Sequence, residues 1–440
     1  MNVRVRIAPS PTGPLHVGTA RVALFNWLFA RKHQGTYIVR IEDTDKERSK
    51  PEYEADMRDG LLWLGLAPDE TYRQSDLLPD HHRAIQELIA KDRAYVSKEL
   101  AKDDSGREVE VVRLRNPNTT ITFTDLIRGD ISFDTTELGD FVIARSVDEP
   151  LYHLAVVVDD ANEGITHVIR GEDHISNTPR QILIQEALGL PRPAYAHLPL
   201  VLAPDKSKLS KRKHADIATV TRFREDGFLP DALINFVALL GWNPGTEQEL
   251  FSREELIELF SFEQVQKGGA VFNREKLLWF NREYLQQESD DVFLNVLNGK
   301  LPGKDEATLK KLVPIVRERV SVWSDLDAMV RDGELEYFFE APVVEPSALV
   351  WKKSTVEDAK RHLEILKELL TEAPGGSYET SEAIKEVLWS YAEKHGKGDV
   401  LWPLRYALTG KEKSPDPFTL LSILGKSESL SRITAAVHML

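Results

Sequence analysis

The chain has 440 residues, more than one hydrophobic core usually serves, so two to four domains are expected. Hydrophobic residues make up 42% and charged residues 29%; no run of 18 apolar residues could span a bilayer and the start lacks the apolar core of a signal peptide, so a soluble, cytoplasmic protein is expected. The absence of cysteine excludes disulfides, thiolate metal sites and a catalytic thiol, while the net charge of −15 argues against indiscriminate coating of nucleic acid without excluding a local basic surface.

In chain order, VRVRIA (residues 3–8) alternates apolar and basic as a strand does, PSPTGPLHVGTAR (9–21) is rich in turn residues, and VALFNWLFARKH supplies a helix-length apolar segment. GTYIVRIED gives a second strand, and residues 53–65 and 77–92 carry apolar residues three and four apart, as helices do. This opening predicts an α/β domain with a parallel sheet. From about residue 94 to 150 the texture changes to short β-type runs, EVEVVRLR, TTITFTDLIRG, DISFDTT and DFVIARS, read as an inserted β-rich module. Strand-like LYHLAVVVDD and ITHVIRGED, a helix over 179–188 and strand-like AYAHLPLVL then resume the first texture, so the insertion splits one nucleotide-binding fold into two halves. After about residue 217 helical periodicity takes over in PDALINFVALLGW, SREELIELF, NREKLLWFNREYL, VEDAKRHLEILKELL and SEAIKEVLWSYAEKH.

A loop leaving a strand at its carboxyl end and entering a helix presents unpaired N–H groups and the positive helix end where ligands bind in such folds. Gly13 and Gly18 permit close backbone approach, and His16 in the first helical turn could donate its Nε2–H to phosphate oxygens. Alone, HxG is more often a helix cap with a surface histidine. KLSKR (208–212) adds a cationic arm suited to a triphosphate, within a basic run in which Lys206, Lys208, Lys211, Arg212 and Lys213 place five charges in nine residues. RIEDTD (40–45) adds Glu42 at a strand end, where it could hold a substrate ammonium or serve only as a solvated turn.

RIAPSPTGPLHVGTAR, RIEDTD, VIRGEDHISNTPRQ and KLSKRKHA, in this order and with a split nucleotide fold, resemble the class I aminoacyl-tRNA synthetases, and among them the bacterial glutamyl-tRNA synthetases. The resemblance is dense over residues 3–285 and thins beyond to a helical pattern and PLRYALTG (403–410), which looks like the family's anticodon-binding region. It implies a split Rossmann-like catalytic domain with a β-rich insertion, followed by an all-α C-terminal half. The implied divisions are 1–94, the first catalytic half; 95–150, an acceptor-end insertion; 151–225, the second half with the KLSKR loop; 226–301, a helical stem-contact domain; and 302–440, a helical anticodon-binding domain.

Carried over by position, the resemblance implies catalytic roles for His16, Gly18, Lys208 and Lys211, with Lys211 nearest the reacting phosphate. It implies a glutamate pocket of Arg6, Ala8, Ser10, Glu42, Tyr152 and Arg170, and ATP contacts from Thr12, His16, Gly18, Glu172, Leu202 and Lys211. Two arginines and one glutamate match glutamate in charge, whereas glutamine would leave one arginine badly paired; Arg6 is preferred for the side-chain carboxylate, a choice between arginines the sequence leaves open. ATP is the expected second substrate, with Mg²⁺, and the expected acceptor is tRNA(Glu), with or without tRNA(Gln). Arg405 is the expected anticodon contact, and a monomer is expected, with no membrane partner.

Two features depart from the family pattern. The insertion is short and lacks the zinc-binding cysteines of many relatives, so no metal, structural zinc in particular, is expected to be held by the protein; and Val156, four residues after Tyr152, replaces an asparagine found in some members. A glutamyl-queuosine tRNA(Asp) synthetase would resemble the catalytic half but lack the helical continuation, and a small-metabolite nucleotidyltransferase would lack RIEDTD with KLSKR. A catalytically dead RNA-binding paralogue fits poorly with the presence of Arg6, His16, Gly18, Glu42, Lys208 and Lys211.

Overall fold

In a computed structural model of the chain, residues 2–100, 107–209, 218–352 and 354–440 are described. They form two compact units, Met1–Asn281 and Arg282–Leu440. In the first unit β1 (Arg4–Ile7), α1 (Val17–Lys32) and β2 (Thr36–Ile41) make a parallel crossover, and α2 (Pro51–Trp63) leads to β3 (Glu70–Arg73), parallel to β2. The fold here follows from burial: β1 and β2 are buried on nearly every residue, as expected of parallel strands covered on both faces, and α1 buries Ala20, Ala23, Leu24, Phe25 and Leu28.

After α3 (Leu78–Ala90), strands β4 (Ala94–Leu100), β5 (Glu108–Leu114), β6 (Thr120–Asp125), β7 (Gly129–Asp134), β8 (Phe141–Ser146) and β9 (Glu149–Pro150) follow. The β4, β5, β8 and β9 strands form one antiparallel sheet. The β6–β7 hairpin instead joins β10 (His167–Gly171) and β11 (Ala194–Leu198) in the order β10-β11-β6-β7, so part of the β-rich stretch extends the sheet of the second half. Helices α4 (Tyr152–Asn162) and α5 (Thr178–Leu188) complete that half.

Two local expectations change. Residues 151–160, strand-like in sequence, form α4, because every residue from Leu154 to Asp160 is buried and a helix buried on all sides has no amphipathic period to distinguish it from a buried strand. The apolar run AYAHLPLVL is two strands, β11 and β12 (Val201–Leu202), interrupted at Pro199, which has no N–H to donate; β12 pairs with β13 (Ala270–Val271), a two-residue strand inside the stretch expected to be helical.

The two half-sheets meet where β1 lies beside β10. The Thr166 N–H donates to the Arg4 carbonyl at 2.9 Å and the Arg4 N–H to Thr166 Oγ1 at 2.9 Å. The carboxyl ends of β1 and β10 therefore open side by side, the location at which open α/β sheets bind ligands.

The second unit is helical, with Asp290–Lys300, Glu306–Arg319, Trp323–Arg331, Val356–Glu372, Ser381–His395, Lys397–Thr409 and Pro417–Met439. The last is broken at Gly425. Side-chain caps at Ser289, Asp305, Thr355, Thr380 and Asp416 each accept from N–H groups of the first turn, which is why helices start there. No helix among the described residues is long and apolar enough to cross a membrane.

Candidate active site

The carboxyl ends of β1 and β10 border a cavity of about 510 Å³. Arg6, Ala8, Ser10, His16, Gly18, Glu42, Tyr152, Arg170 and Lys208, all singled out from sequence, line it. Thr12, Glu172 and Leu202 do not, and Lys211 lies outside the described residues.

At one end, Glu42 is carried off β2 and tied to the loop after β1 by its own N–H, which donates to the Pro9 carbonyl at 3.1 Å. Its carboxylate lies 3.4 Å from Arg40, a fully buried guanidinium that also reaches Asp160 at 2.9 Å, Glu163 at 2.7 Å and Asp159 at 3.7 Å. Burial pushes the Glu42 carboxyl up, against the pull of Arg40 and Arg6. Arg6 donates from Nε and Nη2 to the two Asp160 oxygens at 3.0 and 3.2 Å. Its Nη1 makes no hydrogen bond among the described residues, and Arg6 lines the cavity. Burial alone would raise Asp160, but Arg6 and Arg40 outweigh it and hold the carboxyl low.

Arg170 is different. Its Nε donates to His197 Nε2 at 3.2 Å and its Nη2 to Thr178 Oγ1 at 2.8 Å, and among the described residues no carboxylate pairs with it. Burial accordingly lowers its affinity for the proton. The Tyr152 hydroxyl stands 3.2 Å from Nδ1 of His174, which also lines the cavity; burial, with Arg170 close by, pushes that imidazole down to about 4, so it is neutral.

At the other end His16 caps α1 in extended conformation, and its Nδ1 accepts the Gly18 N–H at 3.1 Å. An accepting Nδ1 places the neutral ring's proton on Nε2. A Cβ at residue 18 would sit 3.4 Å from His16 Nδ1, in ordinary contact with this ring. Lys208 donates to Asp173 at 2.8 Å, and the Leu209 N–H to the Val201 carbonyl at 3.0 Å, folding the start of KLSKR back onto β12. Glu172 sits behind the cavity wall, accepting the Leu200 N–H at 2.8 Å and pairing with Arg128. Arg21, another cavity residue, donates to the Pro199 carbonyl at 2.5 Å; burial pushes it down to about 10.

Sequence reasoning passed over Arg40, Asp159, Asp160, His174 and Asp173. The first three had a usable signal: an arginine inside the apolar strand YIVRI and two aspartates ending the apolar run AVVVDD must find partners if those runs are buried. In the second unit, Arg405 is half-buried, donating to the carbonyl of Glu412 at 2.7 Å and to Ser414 Oγ at 3.3 Å, with its guanidinium 4.8 Å from the Trp402 ring centre. Gly410 ends that helix at φ 62°, and a Cβ there would run into the Val343 carbonyl.

The family profile for the catalytic domain of class I tRNA synthetases (E and Q) matches residues 2–104 and 97–279, and that for an anticodon binding domain matches 281–437. The chain belongs to the class I tRNA synthetases for glutamate and glutamine. A glutamate–tRNA ligase of Carboxydothermus hydrogenoformans is 40% identical over 98% of this chain and 99% of its own length, and one of Geotalea uraniireducens is 41% identical over 99% and 98%. The crystal structure of a glutamate tRNA ligase from Elizabethkingia meningosepticum, in complex with its amino acid, superposes with a TM-score of 0.88 at 32% identity, covering both chains fully. The split α/β fold and helical second half are those of this synthetase family.

Proposed function

We propose that this glutamate–tRNA ligase activates L-glutamate with ATP and passes the glutamyl group to the 3′-terminal adenosine of tRNA(Glu), working in the cytoplasm. The observation that carries the reading is one cavity in which Glu42, Arg6 and Arg170 stand at one end and His16 and Lys208 at the other. Glu42 matches the ammonium, and two guanidiniums match two carboxylates. Arg170 has no carboxylate of its own among the described residues, so we place the side-chain carboxylate there. Arg6, already neutralised by Asp160, is left with the α-carboxylate through Nη1, a reversal of the preference suggested by sequence. Glutamine would leave the charge of Arg170 buried and unpaired, which favours glutamate without an editing step.

The ionised α-carboxylate attacks the α-phosphorus in line and pyrophosphate leaves. No general base is required, because the nucleophile is already deprotonated. His16 donates from Nε2 to phosphate oxygen; the first turn of α1, Lys208 and Lys211 stabilise the charge moving onto pyrophosphate. Mg²⁺, bound with the triphosphate, would add charge neutralisation on its oxygens to what these residues supply. Thr12, Gly18 and Leu202 serve the nucleotide through backbone, and Glu172 acts from behind through Leu200. The 2′-hydroxyl of the terminal ribose then attacks the acyl carbonyl and AMP leaves. Arg405 serves the anticodon by holding residues 412–414 in place.

The test is ATP/pyrophosphate exchange with glutamate, glutamine or aspartate, with and without tRNA(Glu) and tRNA(Gln). Exchange with glutamate alone among the three amino acids is expected. Exchange driven by glutamine, or none under any condition, would overturn the proposal.

A further inference from the structure

The amino-acid end of the cavity holds two guanidiniums in unlike electrostatic states. Arg6 is gripped by Asp160 at two nitrogens, and Asp160, itself only 8% exposed, is gripped in turn by Arg40 at 2.9 Å. Arg170 is equally buried and, among the described residues, meets an imidazole, a hydroxyl, a carbonyl and the Tyr195 ring but no carboxylate. We propose that Asp160 is a positioning residue for amino-acid activation: it orients Arg6 and cancels its charge, so that the reacting carboxylate is held by direction and not by a bare cation.

The physical reason lies in what each substrate carboxylate does. The side-chain carboxylate keeps its charge through the reaction, so a full positive charge on Arg170 favours substrate and transition state alike and sets selectivity. The α-carboxylate gives up its charge as its oxygen bonds to phosphorus, becoming a mixed anhydride. A bare buried guanidinium there would bind the ionised substrate more tightly than the transition state and raise the barrier. With Asp160 on its far side, Arg6 still offers Nη1 as a hydrogen-bond donor without that bias. Asp159, next in sequence, makes no bond to Arg6: it meets Gln74 at 2.7 Å and His81 at 2.5 Å and stands 3.7 Å from Arg40.

This inference rests on the glutamate reading above, and wild-type exchange with glutamate and tRNA(Glu) checks that reading first. Asp160→Asn keeps an acceptor for Arg6 and removes the charge. Its exchange kcat is expected to fall at least tenfold, while the glutamate Kd from calorimetry tightens or at most stays unchanged. Asp69→Asn, at a carboxylate paired with Arg31 and outside the cavity lining, is expected to keep kcat within threefold. With an active wild type, a fall in kcat in Asp160→Asn matched by an equal weakening of Kd, or the same loss in Asp69→Asn, would assign Asp160 to folding alone and overturn the inference. Should Asp160→Asn fail to fold, Asp160→Glu carries the test: charge kept and grip displaced predict a smaller fall in kcat, again without a matching change in Kd, and unchanged kcat would sink the idea.

Discussion

Arg40 and Arg432 are both buried arginines, one in each unit, and their surroundings are opposite in kind. Arg40 is surrounded by four carboxylates, those of Glu42, Asp159, Asp160 and Glu163. Arg432 has one, Glu428 at 2.7 Å, and otherwise donates to three main-chain carbonyls: Tyr337 at 2.6 Å, Leu408 at 2.7 Å and Glu340 at 3.1 Å. Arg405 is built the same way, against carbonyls and Trp402. A guanidinium spent on carbonyls ties loops and helix ends together and leaves no charge balance for a ligand to alter. A guanidinium set among carboxylates beside a cavity makes every added or missing charge count.

The comparison breaks most visibly at Arg170. Arg170→Gln removes the guanidinium with no carboxylate partner, and kcat/KM for glutamate in the exchange assay should fall about 100-fold or more, the cost of truncating one partner of a buried charged contact. The glutamine-to-glutamate ratio should rise with it. Arg432→Met should do the reverse, leaving the buried carbonyls of Tyr337 and Leu408 and the part-buried one of Glu340 without their donor. A stability loss of about 3 kcal/mol is expected by denaturant titration, while the glutamate KM stays within twofold.

The smallest effect concerns pH. Burial, aided by Asp160 and Asp159 against the pull of Arg40, pushes Glu163 up to about 7. A carboxyl raised in the folded state above its ordinary 4.5 stabilises the fold when protonated, and that contribution is lost as pH rises through about 7. Glu163→Gln should therefore gain thermal midpoint relative to wild type, by a few degrees, between pH 5 and pH 8. A constant difference across that range would show that Glu163 does not titrate there.

Much of this was legible beforehand, for identifiable reasons. The loop after β1 could be placed between strand and helix because Pro9, Pro11, Gly13 and Pro14 interrupt regular structure on the strand side, while Val17–Lys32 carries a continuous apolar face. Arg6, Ser10, His16, Glu42, Tyr152 and Arg170 were brought together as expected, since each belongs to a recognisable motif at a strand end, loop or helix start. The helix Tyr152–Asn162 was hidden because its burial on all sides erased the periodicity that marks a surface helix.

By itself the sequence determined the family, the α/β-then-helical order and most of the named residues that line the cavity, because these are written in contiguous motifs and in local periodicity. Tertiary structure alone decided which of those charges are already cancelled. Asp160 and Arg6 meet although they lie 154 positions apart in sequence, and Glu163 and Arg40 although they lie 123 apart. Such partnerships arise from β1 and β2 packing beside α4, and in a buried site the nearest opposite charge, more than residue type, determines what an arginine can do for a substrate.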